Sequence, residues 1–298
     1  MSVPALLRQH GIAPKKSLGQ NFLVDDEALG RIVEAGAVGP DDTILEIGPG
    51  VGNLTRHLAR AARRVIAVEL DGRLIPVLRE TLAEFGNVEI IHGDILALPP
   101  SAVGRPPSFK VVANIPYYIT APILRHLLES DPRPSLAVLT VQNEVAERIC
   151  AGPGAMSLLA VSVHFYGEPT IVGRIPAAAF YPLPDVDSAV VRIVLGDRPR
   201  IDVADTDYFF RVVKAGFSQK RKQMKNALAA GLRLEGKTAE EVLKASGIEP
   251  TRRAETLSLE EWGRLSRQIT ARLSTSAPSG DPRNTLDTSP ATARRGGT

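Results

Sequence analysis

The chain has 298 residues, 44% of them hydrophobic and 23% charged, with 36 Lys and Arg against 33 Asp and Glu for a formal net charge of +3. That length fills one large domain or two smaller ones, and so mild a positive excess leaves any nucleic-acid site to local clustering. Cys150 is the only cysteine, which excludes an internal disulfide and a cysteine metal cluster. The five histidines lack ligand spacing, and no run resembles a cleaved leader or a membrane span. The expectation is a soluble, cytoplasmic protein without a metal.

Residues 1–20 are basic and turn-rich and form an arm that, with Asn21 to Val24, runs to residue 24. Asp25 or Asp26 caps a helix over 27–36 with Ala28, Leu29, Ile32 and Val33 on one face. Residues 43–47 are an apolar strand that runs into Gly48-Pro49-Gly50-Val51-Gly52-Asn53 and then a helix to about residue 62. Glycines let the backbone pass close to a ligand, and the helix start offers free N–H groups. A second strand, 65–69, ends in Glu69, a helix over 73–85 follows, and a third strand, 88–91, leads to His92-Gly93-Asp94. The fourth, 109–113, runs into Asn114-Ile115-Pro116-Tyr117.

Strands alternating with helices imply a parallel sheet covered on both faces. Ligands in such sheets lie beyond the carboxyl ends of the strands, near the point where strand order reverses. Gly48, Glu69, Asp94 and Asn114 all fall there. The glycine loop departs from a dinucleotide fingerprint: its third glycine, Gly52, comes one residue early, and Asn53 stands at the expected position. A loop of this kind, with Glu69 for ribose hydroxyls and Asp94 for an adenine amine, suits a nucleoside cofactor without phosphates, and S-adenosylmethionine fits. Asn114 and the backbone carbonyl of Ile115 can accept hydrogen bonds from an amine on a flat heterocycle, and Tyr117 offers a ring face for stacking.

Farther along, 120–129 and 142–149 read as helices and 135–141, 157–166, 171–175 and 187–195 as strands. Phe180, in the stiff Phe180-Tyr181-Pro182-Leu183-Pro184 loop, is a candidate second stacking face. Residues 196–203 resemble a linker, and helices at 208–216, 219–230, 239–245 and 258–273 close a small bundle. Between 211 and 225 lie Arg211, Lys214, Lys220, Arg221, Lys222 and Lys225 with no acid among them, and Arg252 and Arg253 extend the basic surface. Such a patch is the footprint of phosphate contacts, although a solvated helix face has the same composition. The division is thus a Rossmann-like sheet domain over 1–200, a helical domain over 201–273 that binds RNA or the ribosome, and a disordered tail over 274–298 rich in Ser, Thr, Pro and Gly.

Five segments in order carry a resemblance: Gly19-Gln20-Asn21-Phe22-Leu23, Glu46-Ile47-Gly48-Pro49-Gly50, Asn114-Ile115-Pro116-Tyr117, Phe180-Tyr181-Pro182-Leu183-Pro184 and Phe217-Ser218-Gln219-Lys220-Arg221-Lys222. Together they resemble the small-subunit ribosomal RNA adenine dimethyltransferases. The Asn-Ile-Pro-Tyr segment alone is shared with amino-methyltransferases acting on DNA, RNA or protein. The resemblance implies a class I methyltransferase fold and S-adenosylmethionine as the methyl donor, contacted by Asn21, Leu23, Gly48, Glu69, Asp94 and Asn114. It also implies dimethylation of two adjacent adenosines in a hairpin loop near the 3′ end of 16S rRNA, by a monomer acting on a partly assembled small subunit. Two alternatives remain: a large-subunit rRNA methyltransferase of the antibiotic-resistance kind, and a non-catalytic RNA-binding assembly factor.

Overall fold

In the computed structural model, residues 2–98, 108–219 and 221–276 are described. A short helix, α1 (Val3–Gln9), opens the arm, which the sequence presents as a string of turns. Its spacing of Val3, Leu6 and Leu7 puts one apolar face against Leu74 and Val77. The arm then crosses to β1 (Phe22–Leu23) and α2 (Asp26–Ala35), which is capped by Asp25 accepting from the Ala28 N–H. Next come β2 (Thr43–Ile47), α3 (Asn53–Ala61), β3 (Arg64–Glu69), α4 (Ile75–Thr81), β4 (Val88–His92) and β5 (Lys110–Asn114). The chain continues through α5 (Thr120–Leu128), β6 (Leu136–Gln142), α6 (Asn143–Cys150) and α7 (Leu158–Tyr166). It then forms β7 (Gly167–Ile175), β8 (Phe180–Tyr181) and β9 (Ser188–Leu195) before turning wholly helical.

Seven strands make one sheet in the order β4-β3-β2-β5-β6-β9-β7. Strands β2 to β6 pair with one another in parallel, and β9 runs antiparallel to both β6 and β7. The reversal of strand order between β2 and β5 opens the crevice at their carboxyl ends, as expected of a doubly wound sheet. Antiparallel pairing at the far edge was not legible, because an apolar strand does not encode its direction.

Residues 157–166, expected as a strand, are the helix α7. The run is apolar on every side, so alternation and helical period were both absent. Ser157 caps it, its hydroxyl accepting from the Ala160 N–H, and Ala160, Val161, Val163 and Phe165 are all fully buried. With its polar residues limited to Ser162 and His164, the helix carries no polar stripe.

The last helices are α8 (Thr206–Phe217), α9 (Met224–Leu232), α10 (Gly236–Ala245) and α11 (Leu259–Ser276). Helix α9 begins at Met224, five residues later than expected, and Gln219 lies in a bend. Beyond Ser276 the expected tail lies outside the described residues. The expected boundary near residue 200 does not interrupt the core. Phe165 of α7 stacks on Phe209 of α8 with ring centroids 4.7 Å apart, and Phe209 and Trp262 belong to the same buried cluster as the sheet residues Val111 and Val191. Such an aromatic pair adds about 0.5–1.5 kcal/mol beyond the area it buries, so the helical module is fused to the sheet domain through shared apolar packing.

Candidate active site

A cleft opens at the carboxyl ends of β2, β3 and β5. The expected residues Asn21, Leu23, Gly48, Glu69, Asp94, Asn114, Ile115 and Tyr117 all line it. They come from five separate stretches that meet only because each strand ends at the same edge of the sheet. The arm supplies the roof, with Gly19, Gln20 and Phe22 also facing the cleft.

The glycine loop shows why its residues are small. Gly50 has φ +63°, and a Cβ there would stand 2.8 Å from the Phe22 ring. The arm therefore rests directly on the loop backbone. Asn53, where a dinucleotide fold has glycine, donates to the Leu23 carbonyl at 2.7 Å and ties β1 to the start of α3. The sequence departure thus fastens the arm.

Among the described residues, three carboxyl groups line the cleft, and no Lys, Arg or His does. Glu69 accepts from the Gly50 N–H at 3.0 Å and the Asp71 N–H at 2.8 Å. Burial raises its pKa, those backbone donors oppose the rise, and the neighbouring Asp71 charge adds to it. Asp94 is exposed and accepts from the Leu96 N–H. Glu46, inside β2, is 1% exposed. Burial pushes its carboxyl up to about 8, with the Thr55 hydroxyl beside it opposing and Glu69 adding to the rise. Even so, Glu46 Oε2 and Thr55 Oγ1 make no hydrogen bond of normal geometry. An orphaned buried carboxyl costs free energy unless a ligand satisfies it. An acid-lined cleft with no cation is wrong for a pyrophosphate and right for a ligand that brings positive charge. S-adenosylmethionine, with a sulfonium and an ammonium group, fits that donor set.

Asn114 closes the opposite wall. Its Nδ2 donates to the Asn21 carbonyl at 3.2 Å. The Tyr117 hydroxyl shares a 2.6 Å hydrogen bond with Ser188 Oγ from β9, and burial raises the Tyr117 pKa against the pull of that bond. The ring is thereby anchored at its far end. Tyr118, which sequence reasoning passed over, is 52% exposed at the mouth. Its pKa is raised first by burial and then by the Asp94 and Glu69 charges.

Phe180 lies elsewhere. It is 4% exposed, pairs through its backbone with Leu23, and packs in the core cluster under α2 and α3. The structure therefore does not bring Phe180 to the cleft wall alongside Tyr117.

On the helical module, Arg211, Lys214, Arg221, Lys222 and Arg253 are exposed and Lys225 is half-buried. Lys220 lies outside the described residues. Backbone bonds from Met224 N–H to the Arg252 carbonyl and from Lys225 N–H to the Pro250 carbonyl press the 221–225 segment against the loop at 250–253. The Arg211 guanidinium covers the Tyr208 ring at 4.6 Å. Arg252 is engaged internally: it reaches both Glu261 oxygens, at 2.5 and 3.0 Å, and the Thr256 carbonyl at 2.6 Å.

The ribosomal RNA adenine dimethylase model matches residues 12–270. Ribosomal RNA small subunit methyltransferase A of Moorella thermoacetica is 47% identical over 276 residues, covering 89% of this chain and 96% of its own. The protein of that name from Dehalococcoides mccartyi (strain CBDB1) is 43% identical over 272 residues, covering 89% of this chain and 94% of its own. Among solved structures, the 23S rRNA methyltransferase ErmE aligns with a TM-score of 0.67 at 31% identity, over 84% of this chain and 99% of that one. A dimethyladenosine transferase from Plasmodium falciparum aligns with a TM-score of 0.71 at 25% identity, over 84% of this chain and 98% of that one. With a family match that runs from the arm to α11, and relatives this similar across most of their length, the chain belongs to the ribosomal RNA adenine dimethylases, methyltransferases that use S-adenosylmethionine.

Proposed function

We propose that the chain dimethylates N6 of two adjacent adenosines in a hairpin loop near the 3′ end of 16S rRNA, as a cytoplasmic monomer acting on the small subunit or its precursor. The observation that carries this reading is the placement of the Asn114 amide and the Tyr117 ring beside an acid-lined cleft without cations. When bound there, S-adenosylmethionine supplies an electrophilic methyl group on a sulfonium. Asn21, Leu23, Gly48, Glu69, Asp94 and Asn114 would hold it. In this reading Gly48 lets the backbone approach, Glu69 takes ribose hydroxyls, and Asp94 takes the adenine amine.

The target adenine must leave its stack to reach the cleft, which costs a few kcal/mol and least in a loop. Stacking on Tyr117 returns roughly 1–3 kcal/mol, and the Ser188 bond keeps that ring from turning away. A direct stack on Phe180 requires its ring to come out of the core; where it lies, it supports β1 and through it the arm. The N6 lone pair of adenine is delocalised into the ring. Acceptance of its N–H groups by Asn114 Oδ1 and the Ile115 carbonyl favours a tetrahedral nitrogen and aims the lone pair at the methyl. Alignment and stabilisation of the developing positive charge then lower the barrier without a strong base. The methylated ammonium is acidic and gives its proton to water. Arg211, Lys214, Lys220, Arg221, Lys222, Lys225 and Arg253 would contact phosphates, and Arg252 would add to the local field while holding α11.

Identity favours a small-subunit substrate over a large-subunit one: 47% to the Moorella small-subunit enzyme against 31% to the 23S enzyme. Mass spectrometry of rRNA fragments tests the reading. Unmethylated small subunits incubated with the protein and S-adenosylmethionine should gain two methyl groups on each of two neighbouring adenosines. Methylation confined to large-subunit rRNA, or none at all, would overturn it.

A further inference from the structure

We propose that Gln20 is a positioning residue for Asn114, acting through a clasp with Asp71 and Arg73 that holds the arm across the mouth of the cleft. The inference rests on the adenine-methylating reading of the site. A side-chain amide has a donor end and an acceptor end, and only the acceptor end serves an incoming amine. The Asn21 carbonyl sits 3.2 Å from Asn114 Nδ2. A carbonyl can only accept, so it captures the NH2 group and leaves Oδ1 free for the adenine. Turning the amide over would set two oxygens against each other. The arm backbone thus decides which end of Asn114 the substrate meets.

Asn21 is held on both sides. Just before it, Gln20 Nε2 donates to Asp71 Oδ2 at 2.9 Å, and Gln20 Oε1 accepts from the Lys15 N–H at 2.8 Å. Asp71 is 6% exposed and takes Arg73 Nε on Oδ1 at 2.9 Å and Arg73 Nη2 on Oδ2 at 2.6 Å. Arg73 in turn reaches back to the arm, donating to the Ala13 carbonyl at 3.3 Å. The Arg73 bonds keep the Asp71 carboxyl down to about 2, so the clasp is charge-assisted at any physiological pH. Beyond Asn21, Asn53 holds the Leu23 carbonyl. The same short stretch after β3 carries Glu69, whose Oε1 accepts the Asp71 N–H. Glu69, Asp71 and Gln20, joined by hydrogen bonds, and Asn21, next to Gln20 in the backbone and bonded to Asn114, therefore link the cofactor acid to the reactive amide.

The test uses the full-length protein with Gln20→Leu and Gln20→Glu. Four quantities are read: single-turnover methyl transfer at saturating cofactor, S-adenosylhomocysteine affinity by calorimetry, the melting temperature, and amide exchange over residues 13–24. Gln20→Leu should slow transfer about 10-fold or more, because small misplacements of a reacting group are costly, while affinity for S-adenosylhomocysteine, which the arm also contacts through Asn21 and Leu23, falls by less and the melting temperature changes little. Gln20→Glu sets two carboxylates face to face and should be as slow or slower. A Gln20→Leu rate equal to wild type overturns the clasp. Amide exchange separates this from failure of the adenine reading. Faster exchange in Gln20→Leu, in a protein whose wild type methylates no rRNA, keeps the clasp and sinks that reading; unchanged exchange sinks the clasp itself.

Discussion

The cleft at the strand ends and the basic face of the C-terminal helices carry opposite charge and obey opposite rules. In the cleft, a handful of groups are buried or half-buried, held by short hydrogen bonds, and each has one job. On the helices, Arg211, Lys214, Arg221 and Lys222 stand in water with few fixed partners. A buried polar group works in a low dielectric and is expensive to lose, whereas an exposed charge is screened and replaceable. Single substitutions should therefore be severe in the cleft and graded on the helices.

The sharpest test of that contrast is Asn114→Ala. The change removes the amide that would accept from the adenine amine, and losing one such preorganised partner costs roughly 10²–10³ in kcat. Affinity for S-adenosylhomocysteine should fall much less, as measured by calorimetry. Comparable turnover in the variant and wild type would remove Asn114 from this role.

Glu46→Gln should separate stability from ligand binding. A carboxyl raised from 4.5 to about 8 on folding binds more protons folded than unfolded between those values. Stability of the cofactor-free protein then falls as pH climbs through that window. The glutamine variant lacks this slope, so its advantage over wild type should grow from about pH 5 and reach roughly 3 kcal/mol near pH 7. Its affinity for the cationic cofactor should drop, since the buried acid is lost. Thermal melts across that pH range would read the first effect, and parallel profiles for the two proteins would refute it.

The cleft was more legible in the sequence than the rest for a physical reason. Strands β2, β3 and β5 are buried on both faces, so they appear as continuous apolar runs, and a glycine, an acid or an amide marks the end of each. Glu69 and Asn114 could be placed from spacing alone. What holds them could not. Gln20 and Asp71 are 51 residues apart, and Tyr117 and Ser188 are 71 apart; no local pattern pairs them. Helix α7 was lost for another reason, since a mostly buried, almost wholly apolar helix has no polar face to betray its period. The arm helix did leave a signal in the spacing of Val3, Leu6 and Leu7, which the surrounding prolines and lysines obscured.

The helical face gives the smallest effects and the cleanest internal control. Sequence reasoning placed Arg252 with the other cations because charge was all it could see. Its guanidinium in fact spans Glu261 and the Thr256 carbonyl and so secures the start of α11. Arg252→Ala should lower the melting temperature, at a cost of about 1–2 kcal/mol for a half-buried charged pair. The salt dependence of RNA binding should stay the same. The double variant Arg221→Ala/Lys222→Ala should do the reverse. Its melting temperature should hold, while the slope of log affinity against log salt becomes shallower by between about 1 and 2, the loss expected for two phosphate contacts. Filter binding to a 16S hairpin fragment at several salt concentrations, paired with melts of both variants, reads the two effects together. If Arg252→Ala flattened the salt slope as much as the exposed pair, its bond to Glu261 would be incidental and the division between structural and contacting cations would fail.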